Sequence, residues 1–271
     1  MKLRLEKRIQ QGLGQRGFLL QRAAPEAEVR ALIQRLRPMV TQYPLVLIGP
    51  NGDGGYLVPD ALDGITACFS PGVADNSGFE RACIDRGMRV SMADYSVDAA
   101  SLDADVDPRR YAFVKKFIGA VDDDRHLTME TWIADSGVPE GDDLLLQMDI
   151  EGAEFTAILT TPDRLLTRFK VMIFEFHDLH LLWDRSFLRF AGAAFDKVLR
   201  NHVCVHVHPN GSGGVDRRSG VEIPRVAEFT FLRRDAAEVE GYATRFPHPL
   251  DHDNGLGRVI PLPTMWYQYG P

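Results

Sequence analysis

Leu144-Leu145-Leu146-Gln147-Met148-Asp149-Ile150-Glu151-Gly152-Ala153-Glu154 reads as an apolar strand that ends in acids, with a glycine opening the helix behind it. Acids at the carboxyl end of an internal strand lie where open α/β sheets place their chemistry. Two more strands end in the same manner. Val171-Met172-Ile173-Phe174-Glu175-Phe176-His177-Asp178 closes on carboxylate and imidazole, and Val203-Cys204-Val205-His206-Val207-His208 closes on imidazole. Three such ends predict a reaction centre at one rim of a sheet.

Outward from there, strands and helices alternate. Ile65–Ser70 and Met88–Ala93 read as strands, with a helix around 78–87 between them that Ser77 could cap. Tyr111–Phe117 reads as a further strand, and 128–137 as a helix capped by Thr128. Helices at 152–160 and 185–200 separate the three acid- and histidine-ended strands. This spacing predicts an α/β protein, a mostly parallel sheet with helices on both faces. Segments 203–208 and 226–233 have no helix between them and are expected to form a C-terminal antiparallel hairpin, with Pro209–Gly220 as a loop. Residues 1–44 read as an N-terminal helical extension, with Val29, Leu32, Ile33 and Leu36 at helical spacing. Residues 45–241 form the main domain, and 242–271 a tail packed on it.

The chain has 271 residues and a net charge of -7, so no nucleic-acid partner is expected. The basic residues Lys7, Arg8, Arg16 and Arg22 read as a solvated helix face. Cys68, Cys83 and Cys204 are widely spaced, with no C-x-x-C pair for zinc and an odd number for disulfides. Met1–Arg8 is too charged for a signal-peptide core, and no run of eighteen apolar residues occurs. A cytoplasmic protein without a membrane span is expected; a homo-oligomer stays open.

The first internal strand runs into Ser70-Pro71-Gly72-Val73-Ala74-Asp75-Asn76-Ser77-Gly78-Phe79-Glu80. Gly72 lets the chain turn close to a ligand. Asp94, at the end of the second strand, can accept two hydrogen bonds from a ribose diol. The G-x-G-x-x-G of dinucleotide sites is missing, and Asp75 and Glu80 would repel a pyrophosphate. They suit a sulfonium and an α-ammonium, which points to S-adenosyl-L-methionine. Gly49-Pro50-Asn51-Gly52-Asp53-Gly54-Gly55-Tyr56 is not a P-loop; its glycines could approach the cofactor or cap the site.

Glu175 and His177 share a strand face, as do His206 and His208. With Asp149 they could converge. One use is a histidine general base on a substrate hydroxyl. The other is a divalent cation held by mixed oxygen and nitrogen ligands. The residues leave both open. Asp149, His177 and His206 are the catalytic candidates; Asp149, Glu175, His177 and His208 are the metal candidates, for Mg²⁺ or another divalent ion. Glu151 is expected at the helix start, as framework.

Over roughly residues 45–235 the chain resembles the FkbM-type family of class I S-adenosylmethionine-dependent methyltransferases. Met148-Asp149-Ile150-Glu151-Gly152-Ala153-Glu154 carries most of the resemblance. Phe69–Asp75, Phe79-Glu80, Leu127-Thr128-Met129-Glu130-Thr131-Trp132, Phe174–His177, His206–Asn210, Glu228–Phe231 and Asp53–Tyr56 add to it. The resemblance implies a Rossmann-like methyltransferase sheet. It implies a cofactor site of Ser70, Gly72, Asp75, Glu80, Asp94, Tyr95, Asp122 and Asp149, with Tyr95 flanking the adenine and 120–122 touching it. It also implies methyl transfer to a hydroxyl of a sugar, glycan or natural product. Pro71 departs from the glycine-rich first motif. The rivals are a nucleotide-sugar or NAD-dependent oxidoreductase and a non-catalytic binding protein on the same fold.

Overall fold

Asp143–Met148 carries five consecutive buried residues, with no polar alternation. Such a strand needs cover on both faces, and it receives it. The computed structural model describes residues 11–17, 23–73, 77–102, 109–211, 213–252 and 260–268. Seven strands make one mixed sheet: β1 (Ile65–Pro71), β2 (Arg89–Ala93), β3 (Tyr111–Val114), β4 (Asp143–Met148), β5 (Phe169–Phe176), β6 (His202–Pro209) and β7 (Ala227–Arg233). In space they run β6-β7-β5-β4-β1-β2-β3. β1 to β5 pair in parallel, and β7 is antiparallel to both β5 and β6. This is the expected Rossmann-like sheet with its C-terminal antiparallel hairpin.

Helices α1 (Glu26–Arg35), α3 (Met129–Asp135), α4 (Glu154–Thr160) and α5 (Arg185–Leu199) cover one face; α2 (Gly78–Asp85) and the antiparallel pair Leu45–Ile48/Tyr56–Pro59 cover the other. The first core is aromatic. Phe155 packs on Phe176 and Phe195, and Phe176 on Phe229, at centroid separations of 4.9–5.5 Å. The chain leaves β1 towards β2 and leaves β4 towards β5, in opposite directions. That is the switch point where open sheets form a ligand crevice.

Several local expectations change. The strand expected over 111–117 stops at Val114, and Phe117–Gly119 pairs separately with His126–Thr128. Pro209–Gly220 is not all loop: Val215–Arg218 pairs with Val221–Pro224, and Arg217 meets Glu222 at 2.5 Å. Val215–Arg218 is half-exposed to exposed, while Val221 and Ile223 opposite it are buried in the core, and two apolar positions are too short an alternation to read as a strand. α1 buries Val29, Leu32 and Ile33 in the sheet's own core, while Met39–Thr41 pairs with Val239–Tyr242. Trp266 is fully buried and donates to the Glu222 carbonyl at 2.9 Å. Cys68, Cys83 and Cys204 are buried free thiols. No helix among the described residues is long and apolar enough to cross a membrane.

Candidate functional site

The switch point joins the two halves of the site directly. Asp149 N–H donates to the Pro71 carbonyl at 3.2 Å, and Gly72 N–H donates to the Ala93 carbonyl at 3.0 Å. Gly72 has φ +86°, and a Cβ there would stand 1.5 Å from the Asp149 carbonyl oxygen. The glycine is therefore demanded by the backbone of the acidic loop. Gly49 and Gly55 serve their own loop in the same way, facing the Gly54 and Pro50 carbonyls.

On the β1–β2 side, Asp94 is buried at a strand end, and its Oδ1 accepts from Ser96 N–H at 2.7 Å and Ser96 Oγ at 2.6 Å. Tyr95 packs on the half-exposed Phe117 at 5.2 Å and lies beneath the Arg125 guanidinium at 5.6 Å, an aromatic wall beside Asp94. Asp122 is exposed. Its carboxylate accepts from Thr128 N–H at 2.7 Å and Thr131 Oγ1 at 2.8 Å, while Thr128 caps α3. These donors hold Asp122 below the usual carboxylate range and take up its carboxylate at the helix start. Asp75 lies outside the described residues.

Glu80 does not face the crevice. It is buried beneath β1 in a chain of hydrogen bonds through Ser70, Gln147 Oε1 (2.7 Å from Ser70 Oγ) and Tyr56, whose hydroxyl accepts from Gln147 Nε2 at 2.9 Å. A serine hydroxyl has one proton. With Ser70 donating to Gln147, the Glu80 contact needs a proton on the carboxyl, and burial raises that group to about 7. Ser70 is thus a link in this chain, and Ser77 makes no cap hydrogen bond to α2.

On the β4–β5 side, four carboxylates surround one imidazole. His177 Nδ1 lies 3.3 Å from Glu154 Oε1, and its Nε2 lies 3.3 Å from Glu151 and 3.9 Å from both Asp149 and Glu175. The expected role of Glu151 moves three residues on. α4 begins at Glu154, which is wholly buried and accepts from Ile150 and Gly152 N–H at 3.0 and 3.1 Å. Glu151 instead sits in the left-handed region, at φ 55°, with its side chain 86% exposed. Asp178, beyond His177, has φ 56°. Two non-glycine residues in that conformation mark a locally strained site. The Asp149 Oδ1 and Glu154 Oε2 oxygens are buried and have no hydrogen-bond partner among the described residues. Sequence reading quoted Glu154 without giving it a role; its signal was the acid one helical turn after Ile150.

The charge balance sets the protonation. Burial raises Asp149 to about 8, aided by the charge of Glu175, while His177 pulls the other way. Glu175 is raised by burial, against His177 and the Asn210 amide that donates to it at 2.8 Å. Burial would lower His177, but the hydrogen bond and charge of Glu154, then Asp149 and Glu175, bring it to about 9. All these groups bind protons more tightly when folded, so stability falls as pH rises. The Asp149 contribution is complete below an unfolded pKa near 3.8 and is lost through about 8; that of His177 is complete below 6.5 and lost through about 9. Thermal denaturation should show a fall in Tm on the order of 5 °C from pH 7 to pH 9.5. A flat or rising Tm would refute this charge balance.

His206 and His208 are not part of that cluster. They lie on the edge strand β6, with β7 and β5 between them and β4, and they gather around Asp251 of the C-terminal segment. The metal candidates therefore divide: Asp149, Glu175 and His177 stay together, and His208 goes elsewhere. Asp149, Glu151 and His177 offer ligand atoms within 4.8 Å of one another.

No family model matches the chain, and no curated protein matches it. Among solved structures it is similar to a methyltransferase FkbM from Methylobacillus flagellatus KT, at 13% identity and a TM-score of 0.35. That match covers 61% of this chain and 43% of the other, so the chain spans less than half of that neighbour's length. It is also similar to a precorrin-6y C5,15-methyltransferase from Geobacter metallireducens GS-15, at 12% identity, 78% and 90% coverage and a TM-score of 0.32. A 23S rRNA methyltransferase, ErmE, follows at 10% identity, 82% and 73% coverage and a TM-score of 0.33. The fold assignment rests on the strand order given above.

Proposed function

We propose that this chain is an S-adenosylmethionine-dependent O-methyltransferase acting on a hydroxyl of a sugar, glycan or natural product. The observation that carries the reading is the junction at the switch point. One backbone hydrogen bond and one close approach fix the Pro71-Gly72 turn against Asp149, so a cofactor crevice and an acidic cluster share a wall. The cofactor supplies a methyl group on a cationic sulfur. Asp94 would accept from its ribose hydroxyls, and Tyr95 and Phe117 would flank its adenine. The partnerless acidic oxygens suit its positive charges, and aligning acceptor with methyl group is what the walls contribute.

With four carboxylates around it, His177 is an imidazolium near neutrality and orients rather than abstracts. Asp149, whose proton is lost around pH 8, is the group placed to take the hydroxyl proton. A divalent cation at Asp149 and Glu175 that displaced the His177 proton and took that imidazole as a ligand would lower the pKa of that hydroxyl instead. The net charge of -7 favours a small or glycan acceptor over a nucleic acid.

The experiment is an acceptor screen that reads out S-adenosylhomocysteine, with Asp149→Asn beside the wild type and each assayed with and without chelator. Turnover should drop at least about 100-fold in the variant, the usual scale of a positioned proton acceptor. Full activity in Asp149→Asn would refute the assignment.

A further inference from the structure

We propose that His206, His208 and Asp251 form a second site, for a borderline transition-metal dication of the zinc class, which fastens the C-terminal segment onto the edge of the sheet. The two histidines stand on one strand with ring planes 9° apart and centroids 6.5 Å apart. A single oxygen, Asp251 Oδ1, lies 2.8 Å from His206 Nε2 and 3.6 Å from His208 Nδ1. All three side chains are buried, at 3%, 6% and 2% exposure. Ligands around a tetrahedral zinc ion, at its usual bond lengths, stand roughly 3.3 Å apart. The two separations bracket that value, and all three donors lie within 4.8 Å of one another. Two imidazoles and a carboxylate are a donor set of zinc centres, and three protein ligands leave a fourth position for water.

A second observation points the same way. His208 Nδ1 is buried and makes no hydrogen bond among the described residues; 3.6 Å from the carboxylate is too long for one. A buried ring nitrogen aimed at a carboxylate without bonding it is costly, and a cation between them satisfies both. The surroundings add further acids. Glu228 is buried opposite His208 on β7, and Glu175 is buried opposite Glu228 on β5. An entry path exists too: a cavity of about 380 Å³ between Met39, Tyr43, Phe246 and His248 reaches His206. Asp251 arrives from a segment that also seats through Phe246, stacked at 5.8 Å on His206 and 5.0 Å from Tyr267, and through Ala243 N–H donating to the Pro38 carbonyl at 2.8 Å. Metal binding here is thus coupled to seating of that segment.

The test uses the full chain, stripped with chelator and titrated with Zn²⁺ and with Co²⁺. One equivalent of zinc should survive dialysis, and Co²⁺ should show the visible bands of a four-coordinate site. Zn²⁺ should also protect residues 242–252 from protease. His208→Gln and Asp251→Asn should each weaken binding by at least about 100-fold, whereas Asp149→Asn should leave this equivalent in place. Binding of less than one equivalent by the wild type overturns the proposal without appeal to any variant. So does stoichiometric binding that persists in both edge variants, or that is lost in Asp149→Asn alone. No cofactor or acceptor enters the measurement, so it stands or falls apart from the methyl-transfer reading.

Discussion

Replacing Gly72 with alanine is expected to be the most damaging single-methyl change in the molecule. The added Cβ would lie 1.5 Å from the Asp149 carbonyl oxygen and 2.6 Å from its carbon, and both are backbone atoms at the end of β4. Neither can rotate away. The backbone must also hold φ +86°, which an L side chain resists. Overpacking and strain together should lower stability by about 3–5 kcal/mol. Relief would come by parting β1 from β4, which opens the wall shared by crevice and acidic cluster. Denaturant titration and S-adenosylmethionine calorimetry check both consequences. A variant with wild-type stability and wild-type affinity would show that the close approach is not real.

The second large effect is expected at Glu154. Its carboxylate holds two backbone N–H groups of the turn after β4 and the imidazole of His177, all from a wholly buried position. Glu154→Ala would leave two donors unsatisfied and remove one of the two nearest counter-charges of His177, the buried one. The expected loss is about 3–5 kcal/mol, the range for breaking a buried ion pair from one side. Glu154→Gln keeps an oxygen for the two N–H groups and should lose about half as much. In either variant the His177 pKa, followed by NMR, should fall from about 9 toward 6.5. An unmoved His177 titration would mean that the other three carboxylates hold the proton without Glu154.

The sheet was legible because β4 is an unbroken apolar run and the strand ends carry acids. Such runs say how a strand is covered, and their spacing says that helices intervene. The turn at Gly72 and the strand end at Asp94 were legible as positions, and the space Gly72 provides is filled by the chain itself. Division of the site was not legible. Period-two alternation puts His206 and His208 on one face, but nothing in it shows that a segment more than forty residues later supplies their carboxylate. Nor does it show that two strands separate them from Asp149. Glu151 and Glu154 both follow the strand, and the left-handed turn at Glu151 decides between them; that turn leaves no mark in composition. The resemblance places Asp122 at the cofactor, and the structure adds that its carboxylate accepts from Thr128 and Thr131, a helix-start role that a sequence does not rank against binding.

The central claim is that the crevice beside Asp94 and Gly72 binds S-adenosylmethionine. Calorimetric titration of S-adenosylmethionine into the wild-type chain and into Asp94→Ala tests it directly. The expected result is one site in the wild type, weakened at least about tenfold when the ribose acceptor is removed, one lost charge-assisted hydrogen bond or more. Absence of binding to the wild type, or equal binding to both, would contradict it.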